Sequence, residues 1–322
     1  MNNMKKHSKI NHIDIEKVSS IDDLIQQFDQ SGVFGPGRIA QAVNIYSTML
    51  KEGAVVFLGV AGALVPGGMR KILTDMIRNN MVNVIVSTGA NVTHDIIEAF
   101  GGQHIKHVQY QSDTELRNKA IDRIYDAFVE DESFVKLEDY IQPIFKSIWD
   151  KKKNEKNILV ISTSDLLAQI GEKLNDTQSF VRAAYEKNVP IFVPALSDSV
   201  LGLQLWLFSQ MNRVLIDSMD DLGKIQTIAR DASKAGAFFL GGGVPKNYIF
   251  QSRLMSPKTF DYAIQITMDR VETGGLSGAS LEEAISWGKV RAQSRMVNVV
   301  ADVTIALPLI YAATLKQFKQ HH

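Results

Sequence analysis

The 322-residue chain has no cysteine. That absence excludes disulfides, thiolate zinc sites and cysteine nucleophiles, and it fits a reducing compartment. Nor does charge of either sign dominate, since 35 Lys and Arg balance 35 Asp and Glu. The balance gives no electrostatic support for binding nucleic acid or an anionic membrane. No apolar run approaches the roughly 20 residues of a membrane span. The polar start "MNNMKKHSKINHIDIEK" has no apolar signal core. A cytoplasmic protein is expected, with no nucleic-acid and no membrane partner. No Pro/Ser-rich linker, internal repeat or low-complexity segment divides the chain. Residues 1–20 read as a flexible N-terminal arm and 21–322 as a single domain, with "KKKNEK" at 151–156 an exposed loop.

What the chain does contain is a regular alternation. Short apolar runs at 54–60, 82–88, 157–163, 189–195, 213–217, 235–243, 262–267 and 297–303 read as strands. Helix-period stretches at 69–80, 94–100, 164–176 and 220–235 lie between them. Such alternation predicts an α/β domain, doubly wound, with a mostly parallel sheet and helices on both faces. In these folds ligands lie beyond the carboxyl ends of the strands. The turns there are made of small residues: "GVAGALVPGGMRK" after the first strand, "STGANVTHD" after the second and "LGGGVPKN" after the sixth. None is the GxGxxG fingerprint, and each alone fits a tight turn under a packed helix. Together they argue for a nucleotide lying across the sheet edge.

The segment "EEAISWGKV" follows an uncharged glycine loop, "GGLSGAS", and leads through Trp287 to a single amine, Lys289. Taken alone, Lys289 reads as a solvated lysine near a helix end. Glu283 lies six positions earlier, so on one continuous helix the two would face nearly opposite sides. A pocket holding both requires an early helix end or a loop.

"FLGVAGALVPGGMRK", "VIVSTGANVTHDIIEAFGG", "VPIFVPALSDS", "LGGGVPKN" and "EEAISWGKV", in this order and spacing, resemble the deoxyhypusine synthase family. The resemblance runs from about residue 30 to 315 and is to the prokaryotic branch. It implies a Rossmann-like fold and a homotetramer with NAD at subunit interfaces. The implied activity moves the aminobutyl group of spermidine, or a related polyamine, to a lysine of a translation factor. Lys289 then becomes the covalent lysine. A Schiff base needs a neutral amine, hence a pKa depressed by burial or by a cationic neighbour. Trp287 can supply cover and a face for a cationic substrate.

The resemblance implies cofactor contacts at Gly62, Ala63, Leu64, Val65 and Pro66, at Thr88, Gly89 and Ala90, and at Asp198 and Gly242. Met268, Asp269, Asp302 and Val303 complete that set, although Asp269 and Asp302 also fit helix capping after a strand. His94 is either a pocket contact to the nicotinamide ribose or amine, or part of a capped helix start. On the substrate side stand Glu283, Trp287, Asn247, Gly274, Gly275, Leu276 and Leu203. No metal is expected: His104 and His107 are three apart without a third ligand and read as a solvated pair. The departures from the eukaryotic enzymes lie on the polyamine side. Leu203 and Leu276 replace acidic residues, Asn247 replaces a histidine and His94 a glutamate, so an altered donor specificity is expected. Transfer to a small diamine, as in homospermidine synthesis, and a non-catalytic family member are the alternatives.

Overall fold

The computed structural model describes residues 9–106 and 112–319. Eleven strands occur among them: β1 (Val55–Val60), β2 (Val84–Ser87), β3 (His104–Lys106), β4 (Ile121–Ile124), β5 (Ala127–Glu130), β6 (Leu159–Ile161), β7 (Ile191–Phe192), β8 (Val214–Ile216), β9 (Ala235–Leu240), β10 (Phe260–Thr267) and β11 (Val290–Val300). Six form the main sheet in the order β11-β10-β9-β1-β2-β7. All its pairs are parallel. Numbered along the chain this is the 3-2-1-4-5-6 order of a doubly wound dinucleotide-binding fold, with its reversal between β1 and β9. The predicted fold class is the observed one.

Two expected strands lie elsewhere. β6 and β8 pair with each other in a separate two-stranded sheet. Their apolar runs are buried on one face only, and Val160 and Leu215 stay about half exposed. β9, by contrast, is buried at every position, as a central parallel strand must be. A third sheet, antiparallel β3-β5-β4, was not expected from the sequence. Its tight turn rests on Tyr125, held at a φ of 58°.

The helices begin where polar residues leave the strands. Thr88 caps the helix Gly89–Ala99, Ser162 caps Thr163–Lys173, and Asp217 caps Ser218–Asp231 by accepting from two backbone N–H groups. Lys151 and Lys152 end the helix Asp131–Lys152 rather than starting a loop, where their charge opposes the helix dipole favourably. Among the described residues no helix is long and apolar enough to cross a membrane.

One buried ionic cluster locks three helices behind the second strand. Asp95, fully buried, accepts from Arg70 Nε at 2.7 Å and from Ser179 Oγ at 2.6 Å. It also accepts from the backbone N–H groups of Phe180 and Val181, so it caps the helix Phe180–Lys187. Asp176 and Glu98 take further contacts from Arg70. Asp95→Ala would leave these donors buried with fewer acceptors. It should lower unfolding stability by about 3–5 kcal/mol, read by chemical denaturation at fixed protein concentration; a loss below about 1 kcal/mol, the scale of an exposed ion pair, would contradict this account.

Candidate active site

The reversal in strand order leaves a gap between the carboxyl ends of β1 and β9, and a cavity of about 1100 Å³ opens there. Gly62, Ala63, Leu64 and Pro66 line it from the turn after β1, and Thr88 and Gly89 from the turn after β2. Asp198, Gly242, Met268, Asp269, Asp302 and Val303 complete the part that the sequence pointed to. Val65 instead lies buried beneath its turn. Ala90 and His94 face a separate, smaller cavity of about 240 Å³. Asp302 does cap the last helix, accepting from Thr304 N at 2.8 Å, and it still reaches the cavity. Ile105, Lys106, Tyr125 and Asp126 of the antiparallel sheet also form the wall. The sequence reading missed them, although "RIYDAF" carries a turn between alternating runs.

Buried polar groups hold the cradle open. Asn91, 1% exposed, accepts from Leu64 N and Val65 N at 3.1 and 3.2 Å and donates to Gly62 O at 2.7 Å and Thr88 Oγ1 at 3.0 Å. It ties the first turn to the second. Gly242 has no room for a side chain, because a Cβ would stand 2.4 Å from Ser277 Cα. A floor of small residues lets a ligand backbone or phosphate approach closely, and the rim carboxylates suit ribose hydroxyls. The donor set fits a dinucleotide.

The lysine lies beyond this cavity. The short helix Glu283–Ser286 ends at Trp287, and Gly288 takes a left-handed φ of 68°. Lys289 N then donates to Ala284 O at 3.0 Å, and Lys289 O accepts from Phe260 N at 3.1 Å. The chain enters β11 immediately afterwards. This early helix end is what brings Glu283 and Lys289 into electrostatic reach. Burial pushes the half-buried Lys289 amine below its ordinary range, and the Glu283 carboxylate opposes that shift. Lys289 Nζ donates to Asn247 Oδ1 at 3.1 Å and stands 5.3 Å from the Trp287 ring centroid. The helix Gly243–Gln251 links the two regions: its Val244 and Pro245 line the large cavity and its Asn247 meets Lys289.

A second lysine was missed, although "GGGVPKN" displays it. Lys246 is 4% exposed and donates to Gln265 Oε1 at 2.8 Å and to Ala279 O. Gln265 in turn donates to Gly241 O and Ser277 O. The pair stitches the turn after β9 to the glycine loop. Burial, more than the neighbouring Lys289 charge, lowers the Lys246 amine to about 8. Lys246 therefore sheds its proton readily but is enclosed, while Lys289 is open to a substrate. Gly274, Gly275 and Leu276 lie exposed on the loop, and Leu203 is exposed on the helix Val200–Ser209.

The two histidines need a correction. His104 is no solvated residue: its side chain is 6% exposed, with Nδ1 2.6 Å from Glu98 Oε1 and Nε2 2.9 Å from His94 Nδ1. Its neighbours Glu98 and His94 project from the helix Gly89–Ala99 and enclose it. His107 lies outside the described residues. His94 lies in the second turn of that helix, whose start Thr88 caps. Burial first, and then His104, lowers the His94 ring to about 4.

The family model for deoxyhypusine synthase matches residues 23–314. The chain belongs to the deoxyhypusine synthase family. It is 47% identical over 295 residues to "Probable deoxyhypusine synthase 1" of Methanosarcina acetivorans, covering 91% of this chain and 90% of the relative. Identity to the "Probable deoxyhypusine synthase" of Methanothermobacter thermautotrophicus is 41% over 309 residues, covering 96% and 98%. A solved chain from Entamoeba histolytica assigned as a deoxyhypusine synthase superposes with a TM-score of 0.65 at 20% identity, covering 95% and 97%. That last likeness is one of fold.

The buried Lys246 carries a pH signature. Its amine titrates near 8 in the fold and at the ordinary 10.5 when unfolded. Between these values the unfolded chain holds more protons, so Lys246 makes stability rise with pH. Denaturation of wild type and Lys246→Met from pH 7 to 10.5 should show wild type gaining on the variant across that window. A pH-independent difference would mean an ordinary, charged lysine.

Proposed function

We propose that the chain is an NAD-dependent aminobutyltransferase that takes the four-carbon amine of spermidine or a related polyamine onto Lys289. The acceptor in this reading is a lysine of a translation factor. The observation that carries it is a half-buried lysine of lowered basicity beside a dinucleotide-sized cavity at the strand-order reversal. Gly62, Ala63, Leu64 and Pro66, Thr88 and Gly89, with Asp198, Gly242, Met268, Asp269, Asp302 and Val303, would hold NAD. Bound there, NAD supplies a hydride acceptor and, once reduced, a hydride donor.

The chain's own residues carry the exchange. The neutral Lys289 amine attacks the imine carbon of the oxidised donor, and the carbon–nitrogen bond to 1,3-diaminopropane breaks. The butylamine fragment stays on Nζ as an imine until the acceptor amine displaces it. Burial raises the neutral fraction of Lys289. Asn247 orients the amine through its carbonyl oxygen, Trp287 offers a face to a cation, and Glu283 supplies the counter-charge.

Assembly into a homotetramer belongs to the same reading. The helix Val200–Ser209 is apolar on all sides, yet Leu203, Trp206 and Leu207 are exposed. A helix of that kind suits burial against another copy. A cytoplasmic location fits the cysteine-free composition. Leu203 and Leu276, at positions acidic in the eukaryotic enzymes, favour a donor with fewer positive charges than spermidine, each missing charged contact costing roughly ten- to a hundred-fold in affinity.

Mass spectrometry of amines after incubation with NAD and spermidine, putrescine or agmatine tests this. Spermidine should release 1,3-diaminopropane, Lys289→Arg should abolish release because a guanidinium stays protonated, and Leu203→Asp with Leu276→Asp should improve spermidine relative to the shorter amines. Full release by Lys289→Arg would overturn the assignment of the lysine. Absence of any amine product would overturn the reaction.

A further inference from the structure

We propose that Glu98, His104 and His94 form a one-way hydrogen-bond chain that presents His94 to the small cavity as an acceptor-only imidazole. The cavity then takes an N–H-bearing cationic head, an ammonium or guanidinium. That the head belongs to the amine donor rests on the proposed function.

The direction follows from the chemistry of the first member. An ionised carboxylate only accepts, so the 2.6 Å contact from Glu98 Oε1 to His104 Nδ1 puts a hydrogen on that nitrogen. Glu98 Oε2 is paired with Arg70 Nη1 at 3.4 Å. A neutral His104 has then only a lone pair on Nε2, and the atom facing it at 2.9 Å is His94 Nδ1. His94 must donate there, which leaves its Nε2 bare. The lowered basicity of His94 keeps that nitrogen unprotonated at neutral pH. Arg70, Asp95 and Asp176 stand behind the chain. Asp122, with Asp131 and Arg117 next to it, stands in front.

The cavity's other polar group points to the same occupant. Ser199 is already used, donating to Leu196 O at 2.6 Å and accepting from Gly202 N at 3.1 Å, and so is Thr93, which donates to Gly89 O at 2.8 Å and accepts from Leu201 N at 3.2 Å. His94 and Asp122 remain, and both accept. The rest of the wall, including Ile124, Val129 and Phe134, is apolar and suits methylene groups. Ile124 also lines the large cavity, so the two are neighbours. A pocket with two acceptors and no free donor rejects carboxylates and carbonyls and selects N–H.

The chain has seven histidines, few enough for nitrogen-15 NMR of the full-length protein, assigned with single histidine variants. His94 and His104 should both appear as the Nδ1–H tautomer, and spermidine or agmatine should shift His94 Nε2. In Glu98→Gln the side-chain amide can donate to His104, reversing the chain and leaving an Nε2–H on His94. Amine KM should rise about ten- to a hundred-fold while NAD affinity is kept. Should that variant not fold, His94→Leu should lose amine affinity similarly and His94→Gln, which keeps an acceptor oxygen, should hold it within a few-fold. A wild-type His94 protonated at Nε2, or unchanged amine affinity in a Glu98→Gln protein with reversed tautomers, overturns the proposal. Acceptor-only His94 in a protein that binds no amine would instead overturn the proposed function, and the head-group assignment with it.

Discussion

Four hydrogen bonds from one buried amide, that of Asn91, fix the geometry on which the site depends. A doubly wound sheet leaves its strand ends open at the reversal, and the turns there carry backbone groups that no strand satisfies. Asn91 accepts two of those N–H groups and donates to a carbonyl and a hydroxyl. The turn after β1 is thus held against the turn after β2 without any side chain filling the space between. Gln265 and Lys246 do the same on the other side, joining the turn after β9 to the glycine loop. Cradle and lysine loop are braced by buried polar groups whose loss would leave unpaired donors and acceptors.

Two lysines of lowered basicity, yet opposite in role, follow from that bracing. Lys246 is enclosed and spends its amine on two oxygens, so its lowered basicity serves structure. Lys289 has one hydrogen-bond acceptor, an aromatic face and an open side. Basicity alone does not single out Lys289. In the proposed reading access does, and that access comes from the left-handed Gly288 that turns the chain out of its short helix.

The doubly wound fold was legible because fully buried parallel strands are continuous apolar runs, and β1, β2, β9 and β10 are such runs. The same signal misplaced β6 and β8, since "NILVIST" and "RVLID" do not reveal that one face stays uncovered. The cavity-lining turns were legible from small residues after strands. The family resemblance implied cofactor contacts at Ala90 and, as one of two readings, at His94, whereas in the helix both face the neighbouring cavity. The contact between His94 and His104 joins a helix to a separate sheet, and no local pattern announces it. Lys246 was passed over because burial of a lysine is a tertiary fact.

The central claim is that Lys289 carries the transferred fragment. Borohydride added during turnover with NAD and spermidine, followed by peptide mapping, tests it most directly. The account predicts a reduced butylamine adduct on Lys289 and on no other lysine. An adduct on Lys246, or amine turnover with no adduct at Lys289, would contradict it.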